Sequence, residues 1–228
     1  MLVIGHRGAK GTKPDNTLES LKAGMHDGAD IIECDVRLTR DGVPVLFHDA
    51  TLMKFKKLDL PGNATLQELQ DYSKNSAPIV TLKEALELCF GKVLLNIELK
   101  SQGSGKKCLE ILEKDFIKNR DDWDKIFFSS FLPSELQAVR KLNKHVSLSL
   151  LHFTNPFIFI AYQKKLNLSA VGFHHLHLNT FAQQIAEQTD LFTYVYTVNR
   201  PGLALELEKK GIGGIVTDFP DKMVSALE

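Results

Sequence analysis

Three carboxylates and two imidazoles sit at spacings that suit chemistry on a phosphate ester. Glu33 and Asp35 are two positions apart, and Glu98 and Lys100 repeat that interval farther along. Residues two apart in a β-strand share a face. Glu33 and Asp35 therefore lie together, opposite an apolar face of Ile32, Cys34 and Val36. Val93, Leu95, Ile97 and Leu99 oppose Asn96, Glu98 and Lys100 in the same way. Three carboxylates brought together repel one another and lose hydration unless a cation joins them. Oxygen ligands of this kind suit one hard divalent ion, Mg2+ or Ca2+. The competing reading is an ion-pair network in which Lys100 and Arg7 neutralise the acids without a metal. The carboxylate pattern recurs at the same end of two strands, which favours the ion.

His6 ends the first apolar run and is followed by Arg7 and Gly8; His48 ends another, after Val43–Phe47. Two imidazoles beside a cation are what acid–base cleavage of a phosphodiester needs. One takes a proton from the nucleophile and the other gives one to the leaving alkoxide, each worth typically ~10²–10⁴-fold. Arg7 offers a fork of donors to phosphoryl oxygens, and Lys100 a point charge. Which histidine is acid and which is base stays open.

These groups need elements to position them. Short β-rich runs at Leu2–His6, Asp30–Val36, Val93–Lys100, Lys125–Ser130, His145–Leu151, Ala170–His174, Phe192–Val198 and Gly214–Thr217 alternate with amphipathic stretches. That pattern predicts an α/β fold, the (β/α)8 TIM barrel, with its active site at the C-terminal mouth. A doubly wound open sheet is the rival, because periodicity does not show closure. Asp41-Gly42 signals a hairpin, with Arg40 opposite Val43 and His48 opposite Asp35. Residues 51–78 fit no βα unit and read as a short insertion after the second strand. Asn16, three before Glu19, resembles a helix-capping box. Pro201 opens a later helix and Gly211 ends it.

The chain has 228 residues, a length that one barrel can fill, so 1–228 is read as one domain. Lys+Arg and Asp+Glu both number 28, and this zero balance argues against a nucleic-acid partner. Cys34, Cys89 and Cys108 lack metal-site spacing and point to a reducing cytoplasm. The opening run Met1–His6 is too short for a signal peptide. No stretch approaches the ~20 apolar residues of a transmembrane span.

Taken in order, Gly5-His6-Arg7-Gly8, Pro14-Asp15-Asn16-Thr17, Glu33-x-Asp35, Thr39-x-Asp41-Gly42, His48-Asp49, Glu98-x-Lys100 and Gly214-Ile215-Val216-Thr217-Asp218 resemble the glycerophosphodiester phosphodiesterase family. The resemblance runs from the first strand to the last. It implies metal-dependent hydrolysis of a small-molecule glycerophosphodiester to an alcohol and sn-glycerol 3-phosphate. His6 and His48 would be the catalytic pair, with Glu33, Asp35 and Glu98 as metal ligands and Arg7 and Lys100 on the phosphate. The glycerol 2-hydroxyl would attack first, and water would then open the cyclic phosphate. Two positions depart from the family's pattern. Asp15 stands for a commoner Glu, and Tyr196 for a commoner Trp walling the glycerol or headgroup. Alternatives are a lysophospholipase D acting on lysophospholipids and, less favoured, a non-catalytic barrel that binds phosphodiesters.

Other features carry less. His174-His175-x-His177 reads as rim packing or substrate contact rather than a second metal site. Phe157–Tyr162 reads as a buried helix face, with an apolar lip for a lipid tail as the alternative. Trp123 and Phe127-Phe128 read as core. Asn199 and Asp218 are either donors behind the site or loop caps.

Overall fold

Closure is decided by the first strand, which pairs in parallel with both the second and the last. The computed structural model describes residues 1–228. Its strands are β1 (Leu2–Gly5), β2 (Ile31–Leu38), β3 (Pro44–Leu46), β4 (Leu94–Leu99), β5 (Ile126–Ser130), β6 (Ser147–His152), β7 (Ala170–His174), β8 (Phe192–Tyr196) and β9 (Gly214–Thr217). All but β3 run parallel in one ring, so the fold is the (β/α)8 barrel and not an open sheet. Around it lie α1 (Leu18–His26), α2 (Leu66–Ser73), α3 (Leu82–Cys89), α4 (Ser104–Ile111), α5 (Pro133–Leu142), α6 (Ile158–Leu166), α7 (Thr180–Gln188), α8 (Pro201–Lys209) and α9 (Pro220–Leu227).

Alternation along the strands aims the acids. Ile32, Cys34 and Val36 of β2 and Leu95, Ile97 and Leu99 of β4 are buried in the layer between strands and helices. Each large one contributes roughly 1.5–3 kcal/mol by leaving water. A slip of one residue would push Glu33 and Asp35 into that apolar layer, so register is strongly specified. Inside the ring, Ile4, Ile31, Leu151, Tyr194 and Val216 form an apolar plug. It gives the mouth a floor. Trp123 and Phe128 join the outer layer as expected, while Phe127 packs inside against Tyr194.

The hairpin forms with its register moved by one residue. Val36 pairs with Leu46 and Leu38 with Pro44, so Asp35 faces Phe47, whose N–H donates to the Asp35 carbonyl at 2.9 Å. The reason is the turn. Thr39 N–H donates to the Val43 carbonyl, which makes a three-residue loop of Arg40, Asp41 and Gly42. Gly42 closes it at φ +76, the left-handed position such loops require.

Residues 51–78 hold two short 3-10 turns and α2, whose Thr65 and Glu68 cap it reciprocally. Val45, Phe47, Leu52, Ala64, Leu69 and Ile79 form a separate small core there. The insertion thus backs β3. The expected cap at Asn16 is displaced: Thr17 caps α1, accepting from Ser20 N–H, and frees Asn16 for another contact. Only Phe159 of Phe157–Tyr162 is fully buried; Phe157 and Ile160 are exposed, so this stretch is not a buried face throughout. The three cysteines are buried free thiols, and no helix is long and apolar enough to cross a membrane.

Candidate active site

Parallel pairing sets Glu33 beside Asn96 and, one step nearer the mouth, Asp35 beside Glu98. One oxygen each from Glu33, Asp35 and Glu98 lies within 4.8 Å of the others, and all three residues are buried. Glu33 Oε1, Asp35 Oδ1 and Glu98 Oε1 have no hydrogen-bond partner. Lys100 Nζ meets Asp35 Oδ1 at 3.2 Å and also contacts Glu98 Oε1, as charge contacts without hydrogen-bond alignment. Arg7 Nε lies 3.0 Å from Asp35 Oδ2.

Electrostatics splits the three acids. Burial opposes ionisation of Asp35, but Lys100 and Arg7 outweigh it and hold its carboxyl at about 2. Burial, reinforced by Asp35, pushes Glu98 to about 7 despite Lys100. Burial with Asp35 and Glu98 alongside lifts Glu33 well above the usual range. Two cations thus face three carboxylates, and burial leaves Glu33 and Glu98 reluctant to ionise beside Asp35. Carboxylate oxygens from three buried acids converging within 4.8 Å fit a hard divalent ion, whose charge would favour the ionised form of all three.

The turn after β1 wraps one of these acids. Arg7 N–H donates to Glu33 Oε2 at 2.7 Å, and Gly8 N–H to the Glu33 carbonyl at 3.2 Å. Gly8 stands at φ +86, where a Cβ would come within 2.3 Å of the Ser20 carbonyl, so glycine is required. Asn16 is the neighbour that the sequence reading missed. Its Nδ2 donates to Asp35 Oδ2 at 2.9 Å, and its Oδ1 accepts from Asp35 N–H at 3.1 Å. Asn16 adopts φ +57, a left-handed conformation that Asn tolerates better than most residues. Asp15 accepts from Arg7 Nη1 at 3.2 Å.

Both imidazoles are backed by an aspartate. His6 Nδ1 lies 2.5 Å from Asp218 Oδ1, and Asn199 Nδ2 donates to Asp218 Oδ2 at 2.8 Å. Asn199 and Asp218 are therefore donors and acceptors behind His6. His48 Nδ1 lies 2.9 Å from Asp49 Oδ1. A carboxylate only accepts, so Nδ1 carries the proton in each and Nε2 is left free for proton transfer. Burial lowers both pKa values, against the opposing pull of Asp218 on His6 and of Asp35 and Asp49 on His48. Arg37, also absent from the sequence reading, clamps two strand ends. Its Nε and Nη2 donate to the His48 carbonyl at 3.1 and 2.9 Å, and Nη1 donates to the Lys100 carbonyl at 3.0 Å. Its place two residues after Asp35 on the same face was the available cue.

A cavity of about 40 Å³ adjoins the acids, lined by His6, Glu33, Glu98, Phe131, Leu151 and Tyr196 among others. His48 is not among its walls and stands half-exposed beyond Asp35. Tyr196 donates its hydroxyl to the His152 carbonyl and offers its ring to the cavity. His174 accepts from Leu176 N–H through Nδ1 and stacks on His175, so the histidine cluster packs the rim.

Fold and site define a barrel enzyme whose mouth pairs an acidic cup with cations and imidazoles suited to phosphate esters. The model of the glycerophosphoryl diester phosphodiesterase family matches residues 6–222. A glycerophosphodiester phosphodiesterase of Caldanaerobacter subterraneus is 29% identical over 245 residues, which covers 98% of this chain and 96% of the relative. A phosphodiesterase of Oleispira antarctica, solved with the product sn-glycerol 3-phosphate, superposes with a TM-score of 0.88 at 27% identity, covering 100% of this chain and 96% of its own. A glycerophosphodiester phosphodiesterase of Thermotoga maritima gives 0.83 at 26%, over 99% and 97%. The chain belongs to the glycerophosphoryl diester phosphodiesterase family, and it is a phosphoric diester hydrolase of that family.

Proposed function

We propose that residues 1–228 act as one catalytic domain that hydrolyses glycerophosphodiesters to an alcohol and sn-glycerol 3-phosphate. The Oleispira relative was solved with that product. Glu33, Asp35 and Glu98 would hold one Mg2+ or Ca2+, and the carrying observation is that one oxygen from each of these three buried carboxylates lies within 4.8 Å of the others. When bound, the ion supplies positive charge against the phosphoryl oxygens as negative charge develops there.

The protein's own groups do the rest. Arg7 and Lys100, already turned towards the cup by Asp35, bind the remaining phosphoryl oxygens. His6 and His48 use Nε2 to move protons, one to the leaving alkoxide and one from the attacking hydroxyl, with Asp218 and Asp49 holding each ring's tautomer. The glycerol 2-hydroxyl is the first nucleophile and water opens the cyclic phosphate. Tyr196 walls the glycerol or headgroup beside Phe131, their rings 5.8 Å apart. Buried free thiols at Cys34, Cys89 and Cys108 support a reducing, cytoplasmic setting.

The test is release of glycerol 3-phosphate from a panel of glycerophosphodiesters with and without a chelator. Turnover that the chelator abolishes and added Mg2+ or Ca2+ restores supports the reading. Preference for a lysophosphatidylcholine over glycerophosphocholine would recast the chain as a lysophospholipase D. Failure on every diester with metal present would leave a binding barrel.

A further inference from the structure

Exposed apolar side chains are distributed unevenly over the surface. Met53, Leu58, Leu60, Phe131, Leu132, Phe153, Phe157 and Leu176 sit on connections that leave the mouth end of the barrel, and Ile160 and Phe181 sit in the first turns of α6 and α7 that follow such connections. Only Leu2, Leu94, Leu142 and Leu205 lie elsewhere. Several are exposed far beyond ordinary surface leucines and phenylalanines: Leu58 at 94%, Leu176 at 74%, Phe181 at 63% and Phe153 at 59%. An apolar rim of this kind marks a contact surface.

The rim is continuous with the site. The Phe131 ring lies 5.5 Å from Lys100 Nζ and 5.8 Å from Tyr196. Tyr196 lies 5.7 Å from His174, and His174 4.8 Å from Phe153. Phe157 and Phe181 extend the patch, 6.3 Å apart. In the insertion, Met53, Leu58 and Leu60 are interleaved with Lys54, Lys56 and Lys57, none of which is locked in an ion pair, although the charge of Lys54 reaches Asp49. Lys54 and Lys57 instead lie over the Phe47 and Tyr72 rings.

We propose that the mouth face docks on an anionic lipid surface, with the aromatic rim entering the headgroup region and Lys54, Lys56 and Lys57 meeting lipid phosphates. Overall charge is zero, so attraction must be local, and unpaired lysines beside exposed apolar tips supply it. Rings and leucines at the edge of an interface, with lysines reaching anionic headgroups, are the two parts of peripheral attachment. The orientation sets the acidic cup towards the lipid. The inference goes beyond the proposed reaction and does not need it.

The experiment is sedimentation of the whole chain with vesicles of equal parts phosphatidylglycerol and phosphatidylcholine, and with pure phosphatidylcholine. The chain should bind the mixed vesicles, weakly in high salt, and bind pure phosphatidylcholine far less. Lys54→Gln, Lys56→Gln and Lys57→Gln together should weaken binding to the mixed vesicles about 100-fold, at roughly a tenfold loss per 1.4 kcal/mol. Phe153→Ser with Phe181→Ser should weaken it further, while Leu142→Ser with Leu205→Ser should not. Circular dichroism and thermal unfolding report that the variants fold. No binding by the unaltered chain, binding indifferent to the rim changes, or self-association abolished by them would overturn the proposal. Binding is read without turnover. A chain that binds but hydrolyses nothing keeps the surface and loses the reaction, and the converse separates them the other way.

Discussion

The two halves of the barrel mouth are built on opposite plans. From β1 to β4, directed bonds fix the site: Asn16 holds Asp35 at two atoms, Arg7 N–H holds Glu33, and Arg37 joins the ends of β3 and β4, while Glu98 meets Lys100 as an ion pair. From β5 to β8, rings lean on rings, Phe153 and Phe181 face outward, and buried His152 has no partner for either ring nitrogen. Charge needs fixed geometry because a small displacement of a ligand or proton donor costs rate steeply. Apolar contact needs only area. The charged half should therefore be intolerant of single changes and the aromatic half forgiving.

The largest contrast should come from the imidazoles. His6→Ala and His48→Ala are each expected to lower kcat on glycerophosphocholine ~10²–10⁴-fold, with thermal unfolding little changed. Phe153→Ser should leave kcat within about twofold, since the Phe153 ring is absent from the cavity wall and meets Tyr196 only through His174. Near-normal turnover in either histidine variant would remove that residue from the chemistry.

Asn16→Ala sharpens the comparison by removing a support without touching a ligand. Loss of an outer hydrogen-bond partner typically costs about 10–100-fold in metal affinity, so the metal concentration giving half-maximal turnover should rise by that range. Excess metal should restore most of kcat. An unchanged requirement would reduce Asn16 to a loop residue.

Tyr196 stands where the halves meet. Tyr196→Phe loses the bond to the His152 carbonyl, about 1 kcal/mol of stability, but keeps the ring, so KM should hold. Tyr196→Ala should raise KM several-fold. Equal KM in both variants would mean that the ring is no wall.

The smallest effect concerns acid. Burial, aided by His177 and His174, lowers His152 from 6.5 to about 4. The unfolded chain then binds the proton that the folded chain refuses, so stability is complete above pH 6.5 and falls as pH drops towards 4. Urea midpoints of His152→Phe should decline less over that window than those of the unaltered chain. Parallel declines would place the acid sensitivity elsewhere.

Much of the charged half was legible in the chain. Glu33, Asp35 and Glu98 follow from strand periodicity, and His48 from the Asp-Gly turn. Periodicity cannot count turn residues, so His48 was placed opposite Asp35 where Phe47 stands. Asn16 looked like a helix cap because capping and bridging use the same side chain, and only the fold shows which backbone it meets. The aromatic half was the least readable. Phe157–Ile160 alternates burial with exposure once α6 docks, and outward-facing rings from three separate connections share no local pattern.

The central claim is that the acidic cup takes one ion. Calorimetric titration of the intact chain with Mg2+ and with Ca2+ tests it without a substrate, alongside Asp35→Asn and Glu98→Gln. The account predicts saturable uptake of a single ion by the unaltered chain, lost or greatly weakened in both variants. No uptake by the unaltered chain, or uptake undiminished when either carboxylate is gone, would contradict it.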